Sequence, residues 1–291
     1  MNEIKQINGK FYGYVDGNLV VKSSSKYYVD RKLAEFSSST PVKQEQPVKN
    51  EFPINQRFDF VSDIVKMVAR KKAPSMIITG EGGLGKSYSV VKALREEGYI
   101  NITELVAENA AIPDEKSYVI IKGYSTPKGL FKTLYEFRNS IIVFDDTDSI
   151  LKDTDALNIL KGALDSYSKR IISWHSSLRD DEIPRTFSFC GGVIFISNIS
   201  PERLDQALKT RSMCVDLTMS TDQKIERMRT ILISNEFMPE VSLCHKQEAM
   251  DLIEEHKDNA KEVSLRTLIN TVKIRTSNSN WRPLAKYMLV S

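Results

Sequence analysis

Eight consecutive residues, Gly80-Glu81-Gly82-Gly83-Leu84-Gly85-Lys86-Ser87, fit the spacing G-x-x-x-x-G-K-[ST]. The chemistry such a segment does well is the holding of phosphate. Glycines let backbone N–H groups converge on phosphate oxygens without Cβ clashes. A helix beginning where the loop ends adds partial positive charge. Lys86 brings a full charge toward the β- and γ-phosphates, and the Ser87 hydroxyl can ligate Mg²⁺. Tyr88 is counted with the loop in the expected nucleotide-binding stretch.

Four further places carry usable chemistry. The apolar run 141–144 ends in Asp145-Asp146. A buried parallel strand delivers carboxylates at its C-terminal edge, where the ligand crevice of an open α/β sheet lies. Asp145 is expected to hold Mg²⁺ together with Ser87. Asp146, on the other side of the strand end, is expected to orient or deprotonate an attacking water. The run 193–196 ends in Ser197-Asn198, and the Asn198 amide is placed for the water or the γ-phosphate. Arg211 stands before the apolar Met213-Cys214-Val215 and could reach a neighbouring subunit's nucleotide. Arg266, in VSLRTLI, could return to the γ-phosphate. Each has an ordinary alternative. These are a turn or helix cap for the Asp pair (with Asp148-Ser149 capping the next helix), a strand-ending amide for Asn198, and solvated helix-end cations for the arginines.

The elements that must position these groups follow from periodicity. Residues 75–79, 118–121, 141–144 and 193–196 are short apolar runs of strand length. Between them, 86–97, 129–137 and 154–168 have helical patterning, and Phe60, Val61, Ile64, Val65 and Val68 place a helix before the first run. Strands alternating with helices predict an α/β fold, a parallel sheet covered on both faces. Beyond Thr218 the reading is helical, over 222–235, 246–256, 264–275 and a last helix ending near Leu289. Residues 36–52 are rich in Ser, Pro, Gln and Lys and read as a linker. Ahead of them, Asp16-Gly17 between apolar runs signals a hairpin. The expected organisation is a small N-terminal β element over 1–35, a linker over 36–52, a nucleotide-binding α/β domain over 53–218 and a helical lid over 219–291.

The order of the five features is that of the AAA+ ATPases: Walker A, Walker B, sensor 1, arginine finger and sensor 2. From about Pro53 onward the chain resembles that family. Its segments RFDF, GEGGLGKS, VFDDTDSIL, VIFISN and LDQALKTRS look most like AAA+ ATPases encoded by tailed bacteriophages. The resemblance implies ATP and Mg²⁺ as cofactors and hydrolysis of ATP to ADP and phosphate. It also implies a homo-oligomeric ring, usually hexameric, with nucleotide between subunits. Lys86, Asp145, Asp146, Asn198, Arg211 and Arg266 would be the catalytic set. It further implies a pore loop over 122–128, with Tyr124 gripping and Lys122 or Lys128 on a phosphate. A second pore loop would lie over 169–185, holding Trp174, His175 and Arg179. One residue departs from the pattern. Many members have Glu as the second Walker B acid, where this chain has the shorter Asp146, so slow hydrolysis is expected.

The expected function is an ATPase that remodels or translocates a macromolecule in phage DNA metabolism. DNA is the leading substrate, and the expected partners are DNA or a phage or host protein, met through the pore or the N-terminal element. Two alternatives stay open: a nucleotide-switched loader or adaptor with slow turnover, recruiting a partner through residues 1–52, and a viral superfamily-three-like helicase. The chain's 291 residues carry 41 Lys+Arg against 38 Asp+Glu, a net of +3. That excludes a protein whose whole body coats nucleic acid, though a ring needs only a basic pore. No apolar run is long enough to span a bilayer, and MNEIKQINGK has no secretory apolar region, so the host cytoplasm is expected. Cys190, Cys214 and Cys244 are dispersed and odd in number, which predicts buried free thiols and no disulfide framework. His175, His245 and His256 are too scattered for a histidine metal site.

Overall fold

The loop carrying Lys86, the Asp145 carboxylate and Asn198 leave one edge of a single parallel sheet. The computed structural model describes residues 2–7, 10–15, 18–23, 25–26, 29, 51–111, 116–123, 125–165, 167, 169–174 and 183–291. The chain forms two compact units, 1–51 and 52–291.

The first unit is built on β1 (Asn2–Ile7), β2 (Lys10–Val15) and β3 (Asn18–Ser23), an antiparallel sheet in the order β1-β2-β3. Val15 pairs with Asn18, as a two-residue hairpin at Asp16-Gly17 requires. Asp16 and Gly17, like most of the expected linker, lie outside the described residues.

The second unit opens with α1 (Ile54–Ala69), β4 (Ser75–Thr79), α2 (Lys86–Glu96), the two-residue β5 (Ile100–Asn101) and α3 (Thr103–Ala107). It continues through β6 (Ser117–Lys122), α4 (Pro127–Glu136), β7 (Ile141–Asp145) and α5 (Thr154–Ala163). An antiparallel pair, β8 (Arg170–Ser173) and β9 (Thr186–Phe189), precedes β10 (Gly192–Ile196), α6 (Gln206–Arg211) and β11 (Met213–Asp216). The helical layer is α7 (Thr221–Leu232), α8 (Leu243–Glu255), α9 (Leu265–Ser277) and α10 (Trp281–Val290). Six strands form the sheet in the order β11-β4-β10-β7-β6-β5, with every neighbouring pair parallel.

β4, β7 and β10 are buried along their whole length, which is why they read as continuous apolar runs. Successive side chains point to opposite faces. Met76, Ile78, Val143 and Ile194 face α1 and α2, while Ile77, Ile142, Phe144 and Phe195 face α4 and α5. Phe144 and Phe195 stack with ring centroids 5.1 Å apart. The first of these clusters runs on without a break into the helical layer, through Met228, Met250, Leu268 and Leu289. The helical layer therefore shares its core with the sheet. Serines start its helices: Ser220 caps α7 reciprocally with Gln223, Ser242 caps α8 and Ser264 caps α9.

Several expectations change. β11, β5 and the β8–β9 pair join the four predicted strands. β11 is a sheet edge with Met213 and Cys214 exposed, so its sequence lacks the apolar continuity of a central strand. The helix expected over 154–168 ends at Ala163. Its cap is Asp153, whose carboxylate accepts from the N–H groups of Asp155 and Ala156, and not Asp148-Ser149. The three cysteines are exposed, contrary to expectation: Cys214 is on the edge strand, Cys190 in the turn before β10 and Cys244 in the first turn of α8.

Candidate functional site

Register levels the strand ends. Ile196 of β10 and Lys122 of β6 both lie opposite Asp145 of β7, and Ile196 lies opposite Ile78 of β4. The chain leaving each of these ends therefore meets the others in one open cleft of about 190 Å³. Gly82, Gly83, Gly85, Lys86, Ser87 and Tyr88 line it from the loop. Lys122, Asp145, Asp146 and Asn198 line it from the other strand ends, and Arg266 from α9.

The loop is held at several points. Leu84 is sunk in the core. Gly85, with φ +92°, turns the chain into α2 in the left-handed region that side chains disfavour. The Gly83 carbonyl accepts from the Leu265 N–H at 2.8 Å, and Glu81 pairs with Lys224. Tyr88 donates its hydroxyl to Glu236, which also pairs with Lys92 at 3.0 Å. Among the described residues, the N–H groups from Gly82 to Tyr88 find no acceptor within the chain. Successive free donors at a helix start are a cradle for an anion.

Lys86 is buried. Its ammonium donates to the carbonyls of Gly80, Glu81 (3.0 Å) and Ser197 (3.3 Å) and to Asn198 Oδ1 (2.9 Å). Burial pushes its pKa below the ordinary lysine value, opposed by the charges of Asp146, Asp145, Asp148 and Glu81. The Ser87 hydroxyl lies 3.0 Å from both oxygens of Asp145 and donates to that carboxylate. A hydroxyl beside a carboxylate is the hard oxygen pair that suits Mg²⁺, so these residues fit the metal that the sequence implies.

Asn198 joins two charges. Its Oδ1 accepts from Lys86 and its Nδ2 donates to Asp146 Oδ1 at 2.7 Å. Lys only donates and a carboxylate only accepts, so the amide has a single consistent orientation. Asp146 has φ +57° and donates its N–H to the Ile196 carbonyl at 3.1 Å. That backbone bond fixes the strained turn that swings its carboxylate out of the strand. A methyl built on Gly82 would stand 3.8 Å from both Arg266 Nη1 and Asn198 Oδ1, so both flank the loop.

The structure thus brings together Lys86, Ser87, Asp145, Asp146, Asn198 and Arg266. It does not bring Arg211 to them. That guanidinium turns back along α6 to the Ala207 carbonyl at 3.2 Å and does not line the cleft. Leu84 serves by packing and Glu81 by its ion pair. Sequence reasoning assigned Lys122 to a macromolecule-gripping loop, yet its ammonium is in this cleft, 3.3 Å from Asp145 Oδ2. It also missed Ser197, whose hydroxyl donates to Asp148 Oδ1 at 2.6 Å and steadies the turn before Asn198. Tyr124, His175 and Arg179 lie outside the described residues. Trp174 packs on Phe131 at 5.5 Å between centroids, against the core beneath α4 and α5.

On the hydrolytic role that the sequence resemblance implies, an Asn198→Ala chain is expected to lose about 100-fold in single-turnover ATP hydrolysis, the usual scale for one polar contact made in the transition state. Its affinity for a fluorescent ATP analogue should stay within about threefold, since the N–H cradle and Lys86 persist. Equal losses in both measurements would make Asn198 a ground-state contact only.

No family model matches the chain. It is 30% identical over 251 residues to an uncharacterized 36.7 kDa protein from the nrdC-mobD intergenic region of Enterobacteria phage T4, covering 80% of this chain and 73% of that one. Among solved structures, a RuvB variant from Thermotoga maritima aligns with a TM-score of 0.44 and 10% identity, over 80% of this chain and 68% of its own.

Proposed function

This chain belongs to the family of the uncharacterized phage T4 protein, and from that premise we propose that it is a Mg²⁺-dependent ATPase of the AAA+ kind. The observation that carries the reading is the convergence of Ser87–Asp145 and Asn198–Asp146 around a buried Lys86 beneath a row of free N–H donors.

In this reading the N–H groups of Gly82 to Tyr88 and the Lys86 ammonium bind the β- and γ-phosphates. Ser87 and Asp145 hold Mg²⁺, which when bound neutralises charge on the phosphate oxygens. Asp146 orients a water in line with the γ-phosphorus and takes its proton as the P–O bond to ADP breaks. Asn198 fixes the Asp146 carboxylate, and Arg266 offers a second cation to the transferred group. Arg211 acts across an interface, supplied by a neighbouring copy of the chain. The assembly is a ring, and hydrolysis drives remodelling or translocation of a macromolecule in phage DNA metabolism. The phage relative supports the phage setting alone; the ring and the DNA role rest on the sequence resemblance. Among the described residues no helix is long and apolar enough to cross a membrane.

A second reading, a slowly turning nucleotide switch, is favoured by one detail: the short Asp146 carboxylate is already engaged by Asn198. Arg266 on the cleft from the helical layer supports the AAA+ reading over a superfamily-three-like one.

Phosphate release by Arg211→Ala and Asp146→Asn chains, alone and mixed, tests the proposal. Each alone is expected to be inactive. The mixture should recover about a quarter of wild-type turnover, since random pairing at a trans site unites intact halves at roughly that frequency. No recovery would remove Arg211 from the trans role. No turnover by wild type at any Mg²⁺ concentration would remove the ATPase reading.

A further inference from the structure

Asp145 is met from two sides. The Ser87 hydroxyl approaches from the loop, and the Lys122 ammonium stands 3.3 Å from Oδ2. Lys122 is the last residue of β6 and lies directly opposite Asp145 in the parallel register, so the strand pairing itself holds the two together. The two are unequal in burial. The Lys122 side chain is 69% exposed and that of Asp145 7%. A buried carboxylate without a cation nearby is costly, whereas an exposed ammonium on a flexible stem returns to water with little loss. Among the described residues Lys122 is the sole ion-pair partner of Asp145, because Lys86 spends its donors on the loop carbonyls, Ser197 and Asn198.

We propose that Lys122 is the built-in counter-ion of the metal carboxylate and sets the concentration of divalent cation the site requires. The inference rests on the Mg²⁺-nucleotide reading above and deepens it. A divalent cation shared by Ser87 and Asp145 would sit against the carboxylate that Lys122 already contacts, and two cations on one carboxylate repel. Metal entry therefore releases the Lys122 ammonium from Oδ2. The exposed stem lets it move aside, toward solvent or the terminal phosphate. Lys122 keeps the carboxylate paired and oriented between turnovers, and it weakens the metal by the worth of the contact it gives up. For an ion pair with one exposed member that worth is about fivefold in an equilibrium constant.

Mn²⁺ binding to the full chain, read by electron paramagnetic resonance in the presence of a non-hydrolysable β,γ-imido ATP analogue, tests this directly. Lys122→Met and Lys122→Gln chains are each expected to reach half-saturation with Mn²⁺ at about fivefold lower concentration than wild type. An unchanged or higher midpoint in both variants, with analogue affinity retained, overturns the role of Lys122 and leaves the ATPase reading intact. If wild type itself binds neither analogue nor Mn²⁺, the ATPase reading fails first. The thermal midpoint of each variant, followed by circular dichroism, verifies that it is folded, as the exposure of residue 122 predicts.

Discussion

A Lys86→Ala chain is expected to hydrolyse ATP at least about 100-fold more slowly than wild type, with weakened ATP binding, because it loses the buried cation that the proposed site places on the β- and γ-phosphates. The geometry makes the loss specific. The ammonium is the shared donor for Gly80, Glu81 and Ser197 carbonyls and for Asn198. Its removal therefore also frees the Asn198 amide that holds Asp146. Unchanged turnover would mean that phosphate is processed elsewhere. A companion measurement separates chemistry from folding. Burial lowers the pKa of Lys86 below the ordinary 10.5. In the window between the lowered value and 10.5, the unfolded chain keeps a proton at this residue that the folded chain has shed. Raising pH through that window stabilises wild type through Lys86. The alanine chain should lack that increment, which thermal melts across alkaline pH would reveal.

The second large effect belongs to Gly80. Its φ is +127°, and a Cβ there would stand 2.8 Å from the carbonyl carbon of Leu217 and 2.9 Å from its oxygen. Neither neighbour can yield cheaply. The Leu217 N–H donates to the Thr79 carbonyl at 3.0 Å, and its side chain is fully buried. Gly80→Ala must force the end of β4 away from the segment that follows β11. A cost of about 1–3 kcal/mol is expected from overpacking and backbone strain. In a unit of this size, that lowers the calorimetric thermal midpoint by on the order of 5 °C. Nucleotide affinity should fall as well, since the Gly80 carbonyl is one of the anchors of Lys86. A midpoint equal to wild type would show that the loop can relax without strain.

Much of this was legible in the residues. The phosphate loop announces itself because each glycine, the lysine and the serine are needed at fixed spacing. β7 and β10 announce themselves because burial on both faces leaves no room for polar alternation. What stayed hidden depends on neighbours in space. Lys122 read as part of a loop because nothing in its own segment says that β6 lies beside β7. The pairing register, not the local sequence, brings its charge to Asp145. Asp148 looked like a helix cap for the same reason: its partner Ser197 arrives from β10. The cysteines read as core because the residue type usually is, while an edge strand, a turn and a first helical turn leave them in water.

The bond from Leu265 to Gly83 seats the first residue of α9 on the phosphate loop. Its thirteen residues span about 20 Å, so a tilt of roughly 5° at the loop end sweeps the far end by about 2 Å. The Glu81–Lys224 pair couples α7 to the same loop. Two helices of the helical layer are thus fastened directly to the phosphate loop, with no intervening segment.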